Sequence, residues 1–168
     1  WRKLYGTDIE GSRMLDLEFI LRFFALGQKH IRDLTKGQIS LKIYLNEYMG
    51  EKAHNEEPFI ELKRKEFQNV VKFLYENIGS NAFRNLAADN TYQSRFNPTV
   101  FDSITIATNF AIAKLGEGIT KSELKKKHKT LLADEKFKEY STTRTTNIEH
   151  IKGRIGIASQ ILFDIKYE

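Results

Sequence analysis

Arg13-Met-Leu-Asp-Leu-Glu-Phe-Ile-Leu-Arg-Phe-Phe-Ala-Leu26 is the stretch on which the fold turns. From Met14 to Leu26 only Asp16, Glu18 and Arg22 are polar. The apolar residues surround a helical wheel instead of keeping to one stripe, the pattern of a helix buried on most sides. The stretch therefore predicts a central helix over about 13–27, with other helices wrapped around it. Glu18 stands four residues before Arg22, the order in which an acid and a base pair well along a helix face.

Outward from this helix, residues 1–12 read as an apolar lead-in (Trp1, Leu4, Tyr5) followed by turns at Gly6 and Gly11. Residues 28–37 read as a polar loop. Helical spacing of Leu41, Tyr44, Leu45 and Tyr48 predicts a helix over 38–52, its aromatic stripe read as core. Residues 53–58 read as a linker and 58–78 as a helix with Pro58 in its first turn and Gly79 at its end. A short helix is expected at 81–87, then a polar segment over 89–95. Asn97-Pro98 is a strong start signal, an N-cap before a first-turn proline, and the helix over 98–115 is the second candidate for a largely buried one. Thr120-Lys-Ser-Glu123 and Thr146-Asn-Ile-Glu149 read as capping boxes for helices over 120–132 and 146–166, with a shorter helix over 134–141 between them. No segment alternates with period two for long, so a sheet is not expected. The fold class is all-α: a bundle of about seven helices packed around one or two largely buried central helices.

Composition bounds function. The 168 residues suit one domain, with 40% hydrophobic and 29% charged residues, which argues against disorder. Without cysteine there are no disulfides, thiolate zinc sites or cysteine nucleophiles, in keeping with the reducing cytoplasm. No apolar run reaches the roughly 20 residues that span a membrane. A net charge of +5 permits nucleic-acid contact without requiring it. The chain opens on Trp1, and Trp1-Arg-Lys-Leu-Tyr-Gly6 reads like the interior of a domain; a piece of a longer parent is expected.

The residues offer little catalysis. The four histidines (30, 54, 128, 150) have no metal-ligand spacing, and His128 shares an apolar face with Leu124, Leu131 and Leu132, as a buried, hydrogen-bonded histidine would. There is no Walker loop, no Gly-x-Gly-x-x-Gly and no Gly-x-Ser-x-Gly. Gly153-Arg-Ile-Gly156 sits inside a helical pattern and reads as a close helix crossing. Asp16, Glu18 and Asp102 are acids on helices expected to be buried, where each needs a partner; an internal ion pair is favoured over an acid held in a cleft.

Two basic features point toward phosphate. Lys121, Lys125 and Lys129 recur every four residues and could follow a nucleic-acid backbone, although no aromatic residues interleave for base stacking, as on a plain solvated face. In Ser141-Thr-Thr-Arg-Thr-Thr-Asn147, Arg144, Thr146 and the other hydroxyls precede a helix N-terminus, which favours anions, although capping by Thr146 accounts for most of the same residues.

Several of these stretches together resemble the C-terminal helical part of the GmrS family, found in GmrSD-type modification-dependent restriction and other antiphage systems. The matching pieces are Arg13–Leu26, Tyr44-Leu-Asn-Glu-Tyr-Met49, Asn81-Ala-Phe-Arg84, Phe96-Asn-Pro-Thr-Val-Phe-Asp102 and the Thr-rich turn with Arg154 in the following helix. They occur in the family's order and cover most of the chain, the first and fourth being the most specific.

The resemblance implies a DNA-defence protein whose chemistry, nucleotide hydrolysis and DNA processing, belongs to an N-terminal ParB-like domain. That domain's Asp-Gly-Gln-Gln-Arg-type and Phe-x-Arg-x-Asn-type motifs are not in these residues, nor is the His-rich nuclease domain of the GmrD partner. By the resemblance, Arg13, Glu18, Arg22, Asn97, Asp102 and Arg154 are structural or interdomain positions. The implied partners are the ParB-like domain, DNA and a nuclease subunit or domain, with no membrane partner and no cofactor of the chain's own. Two alternatives stay open: an autonomous nucleic-acid-binding module using Lys121, Lys125, Lys129 and Arg144, and an enzyme with Glu18 and Arg22 or Asp102 in a pocket.

Overall fold

The helix around which the others pack is the one that begins at Pro98. In the computed structural model, which describes residues 1–5 and 15–168, this helix has every residue from Thr99 to Thr108 buried, and Ala111 as well. Its start is fixed locally. The Asn97 side chain accepts from the Thr99 and Val100 amides at 2.9 and 3.2 Å, and Pro98 has no amide hydrogen to leave unpaired. Its β-branched and hydroxyl residues are poor helix formers, but burial outweighs propensity. Two of its hydroxyls cost little in the core because they bond back one turn: Ser103 Oγ to the Thr99 carbonyl at 2.6 Å and Thr105 Oγ1 to that of Phe101 at 2.7 Å.

Nine α-helices occur among the described residues: α1 (Arg2–Tyr5), α2 (Leu15–Leu26), α3 (Lys29–Asp33), α4 (Leu41–Gly50), α5 (Glu57–Asn77), α6 (Pro98–Leu115), α7 (Leu124–Ala133), α8 (Glu135–Thr142) and α9 (Ile148–Phe163). The protein is essentially all-α, with α6 packed on α9, α2, α5 and α8. One aromatic cluster fills the end of the bundle where α1, α2 and the start of α6 meet. There Phe19 and Phe96 lie 4.8 Å apart between ring centroids, and Phe83 meets Phe101 edge-on at 5.0 Å. Trp1 and Tyr5 pack against the same rings.

Several boundaries differ from the sequence expectation, each for an identifiable reason. α2 buries Phe19, Phe23, Ala25 and Leu26, but Leu15 and Leu17 are exposed, so it is a flanking helix and α6 is the centre. The expected turns at Gly6 and Gly11 lie outside the described residues. The expected loop at 28–37 contains α3, which is anchored by Ile31 in the core.

Residues 81–96 hold no helix. They form an antiparallel hairpin, β1 (Arg84–Leu86) against β2 (Tyr92–Phe96), with Arg84 opposite Phe96, Leu86 opposite Tyr92 and an irregular register between. Its turn is made by Asp89, whose carboxylate accepts from the Thr91 amide at 3.0 Å, and by Asn90 in the left-handed region at φ 63°. The first capping box does not form either. Glu123 is left-handed at φ 58° and α7 begins only at Leu124. Nor does the second capping box form: Asn147, not Thr146, occupies the N-cap position of α9 and makes no side-chain bond to the helix, while the Thr146 carbonyl accepts from the Ile39 amide in a short bridge between residues 37–39 and 146–148.

Candidate functional site

Three helices bring one charged side chain each to a common point. Arg22 lies on the face of α2 that carries Phe19 and Leu26, Asp102 on the second turn of α6, and Arg154 on the face of α9 that carries Ile151 and Ala158. Asp102 is wholly buried, at 0% exposure. Arg22 Nε donates to Asp102 Oδ1 at 3.1 Å and Arg22 Nη2 donates to Oδ2, the two-pronged geometry that makes arginine–carboxylate pairs strong. Arg154, 1% exposed, approaches the same carboxylate with Nη2 3.6 Å from Oδ2, and its Nη1 donates to the Thr145 carbonyl at 2.8 Å. Arg154 Nε is buried with no hydrogen-bond partner among the described residues.

Arg22 and Arg154 also line a cleft of about 490 Å³ between α2, β2 and the starts of α6 and α9. Arg95 on β2 adds a third guanidinium at its edge and has no hydrogen bond or ion pair among the described residues. Ser141, at the end of α8, lines it as well. Its carbonyl accepts from Thr99 Oγ1 at 2.8 Å, while its own hydroxyl is buried without a partner among the described residues. No carboxylate and no histidine stands among the described residues that line the cleft.

The electrostatics follow from this arrangement. Burial works against the charge on Arg22, but the attraction of Asp102 and its hydrogen bonds, with a smaller part from Glu18, outweighs it and holds the group above its ordinary value. Arg154 is shifted the other way, to about 10, because burial dominates; Asp102 opposes the shift and Arg22 adds to it. Both remain cations at neutral pH. The cleft is thus a positively charged, hydrogen-bond-donating concavity with no acid–base pair among the described residues that line it, an arrangement suited to an anion.

The sequence candidates are placed as follows. Arg13 lies outside the described residues. Glu18 is not the main partner of Arg22: it is half-buried and reaches Arg22 only at 3.8 Å, Asp102 having taken the two-pronged position. Asn97 caps α6 and lines the cleft.

Lys121, Lys125 and Lys129 do not form one helical stripe. Lys121 precedes α7 and lies over the Phe73 ring, 6.0 Å from its centroid. Lys129 donates to the Asn90 carbonyl at 3.0 Å and covers the Tyr92 ring, an aromatic neighbour that the spacing within α7 could not reveal. Lys125 and Lys129 share a shallow depression with Lys126, which pairs with Glu123 at 3.4 Å.

Arg144 is exposed, left-handed at φ 44°, and apart from the cleft, whereas Thr146 lines it and accepts from Gln38 Nε2 at 3.1 Å. Arg95 was not among the sequence candidates, whereas Ser141 opens the Ser141–Asn147 stretch that the sequence marks as favouring an anion. The available signal was period-two spacing: Gln93 and Arg95 fall on one side of β2 and both line the cleft.

Elsewhere the polar groups have structural roles. His128 is buried, its Nε2 donating to the Ala82 carbonyl at 3.0 Å and its Nδ1 accepting from the Tyr92 hydroxyl at 3.0 Å, which fixes the neutral tautomer. His54 is stacked on Phe59 and held by the Tyr48 carbonyl at 2.7 Å. Among the described residues no cluster of three or more His, Asp or Glu is arranged to hold a metal ion. A larger cavity, about 1060 Å³ between α2 and α5, is an open apolar groove lined by Leu17, Phe24, Met49 and Ile60. No helix among the described residues is long and apolar enough to cross a membrane. Compared with models of known protein families, with curated proteins and with solved structures, the chain gives no match in any of the three.

Proposed function

We propose that this chain is the non-catalytic helical domain of a GmrS-like bacterial DNA-restriction or antiphage protein, acting in the cytoplasm. Its role is to support or regulate an upstream ParB-like domain that hydrolyses nucleotide and processes DNA, with DNA and a nuclease subunit or domain as further partners and no cofactor of its own. One observation carries the reading. Arg22, Asp102 and Arg154, from three separate stretches of the resemblance, meet in one buried ion-pair cluster joining α2, α6 and α9. A cluster with all its carboxylate oxygens engaged suits a fixed scaffold better than a reaction centre. The test is the coding sequence upstream of Trp1, which should encode a domain with a glutamine–arginine motif of the ParB-like type; its absence there rejects the reading. Nucleotide turnover by the purified chain would reject the non-catalytic half of it.

A second reading, an autonomous nucleic-acid-binding module, draws on the lysines of α7. Lys125 is exposed and has no partner among the described residues, and Lys126 and Lys129 lie beside it around a shallow depression. Duplex-DNA binding measured across a salt series discriminates the two. An affinity whose logarithm falls linearly with the logarithm of salt, and which Lys125→Glu with Lys129→Glu abolishes, favours the module. No binding at low salt favours the scaffold.

A further inference from the structure

We propose that the cleft between α2, β2, α6 and α9 binds a phosphoryl group carried on a small molecule, seated against Arg154 and Ser141 and clasped by Arg95. The first argument is charge. Three guanidiniums, Arg22, Arg95 and Arg154, serve the cleft, against the buried Asp102 carboxylate and the outer one of Glu18. Three cations against two carboxylates leave one positive charge in excess, and Asp102 already has both oxygens engaged by Arg22.

The second argument is hydrogen bonding. Arg154 Nε and Ser141 Oγ belong to side chains more than nine-tenths buried that line the cleft, and both are without a partner among the described residues. Buried polar groups are nearly always satisfied, so two unpaired ones beside an excess cation mark a place where an acceptor-rich group belongs. A phosphoryl group supplies several acceptor oxygens and negative charge together, and arginine forks match its geometry.

The third argument is shape. A cleft of about 490 Å³ has the size of small-molecule sites. It opens at the start of α6, whose dipole favours an anion although Asn97 already takes its first amides. The unengaged amide of Asn85 and the apolar Leu26 and Ile151 complete a wall for the rest of such a molecule. The site is separate from the lysines of α7, and occupancy requires neither DNA affinity nor an upstream domain, so it stands or falls apart from the functional reading above.

The test is calorimetric titration of the purified chain with inorganic phosphate, with adenosine monophosphate and, separately, with short duplex DNA. Arg95 is exposed and unpaired among the described residues, so Arg95→Gln should leave the fold intact while weakening nucleotide binding about tenfold, as expected for one charge-assisted hydrogen bond. Ser141→Ala should weaken it several-fold, and Lys125→Glu should leave it unchanged. In a nitrogen-edited proton spectrum, the Arg154 Nε–H resonance should shift on saturation with the nucleotide. No binding of phosphate or nucleotide at millimolar concentration overturns the proposal, as does binding that Arg95→Gln and Ser141→Ala both leave unaltered. Binding of duplex DNA alone, sensitive to Arg95→Gln, overturns the small-molecule source and assigns the cleft to a backbone phosphate.

Discussion

Arg22 Nε donates to Asp102 Oδ1 at 3.1 Å across 80 residues of chain, fastening the first long helix to the central one. Arg154 leans on the same carboxylate from α9, so one buried acid holds three helices. Such an arrangement is asymmetric in energy: forming it yields little net stability, but removing one member leaves charge buried without a counter-charge.

Asp102→Asn tests that asymmetry. The side chain keeps its volume, yet two buried guanidiniums lose their carboxylate, and the expected loss is about 3–5 kcal/mol. Combining it with Arg22→Met should recover part of the loss, because only one unpaired buried cation then remains. The measurement is the denaturant midpoint of each variant at unchanged slope. A loss under about 1 kcal/mol for Asp102→Asn would show that water already screens the cluster.

His128 makes folding sensitive to acid. Burial pushes its imidazole down to about 4, against the upward pull of its bond to the Ala82 carbonyl. Between about pH 6.5 and 4 the unfolded chain binds a proton at this residue that the folded chain refuses, so stability falls as pH falls through that window and is unaffected above it. The gap corresponds to about 3 kcal/mol at full extent. His128→Gln should flatten the stability profile between pH 4 and 6.5, read from denaturant midpoints across the range.

The helical class was legible because burial writes a period into sequence, and α5, α6 and α9 carry that period for four or more turns. Which helix is central was not. Met14–Leu26 is as apolar as a core helix, but Leu15 and Leu17 face solvent, and only the packing of α6 against α9 and α5 shows which of the two is enclosed. The hairpin escaped because β1 is three residues long, too short for alternation to register. Of the polar site, Arg22 and Asp102 were legible as charges on helices expected to be buried, Asn97 and Thr146 as caps, and Arg154 only through the resemblance; none was legible as part of a group. What joins them is tertiary: Arg22 was matched to Glu18, its neighbour in sequence, whereas its partner lies on another helix.

The two caps give opposite expectations. Asn97 accepts from two amides at the start of the buried α6, so Asn97→Ala should cost about 1 kcal/mol, within the roughly 0.5–2 kcal/mol known for caps. Thr146 does not cap α9 and offers its hydroxyl only to Gln38, so Thr146→Ala should fall within about 0.5 kcal/mol of the parent. Thermal unfolding of the two variants side by side is the measurement. Equal losses would return the N-cap of α9 to Thr146.

Gly153 and Gly156 look alike in sequence but should respond with opposite sign. A methyl group on Gly153 would overlap the ring of Tyr140, where α8 crosses α9, and that ring is itself packed on His150 with centroids 4.8 Å apart. It therefore cannot swing away freely. Overpacking of this kind costs about 1–3 kcal/mol, against a gain of up to about 1 kcal/mol from replacing a helical glycine. Gly153→Ala should lower the melting temperature. At Gly156 nothing lies within 4 Å of the added methyl, so only the helix-propensity gain remains and Gly156→Ala should raise it. A stabilising Gly153→Ala would mean that the Tyr140 ring yields, and that α8 and α9 are held together by their apolar contacts alone.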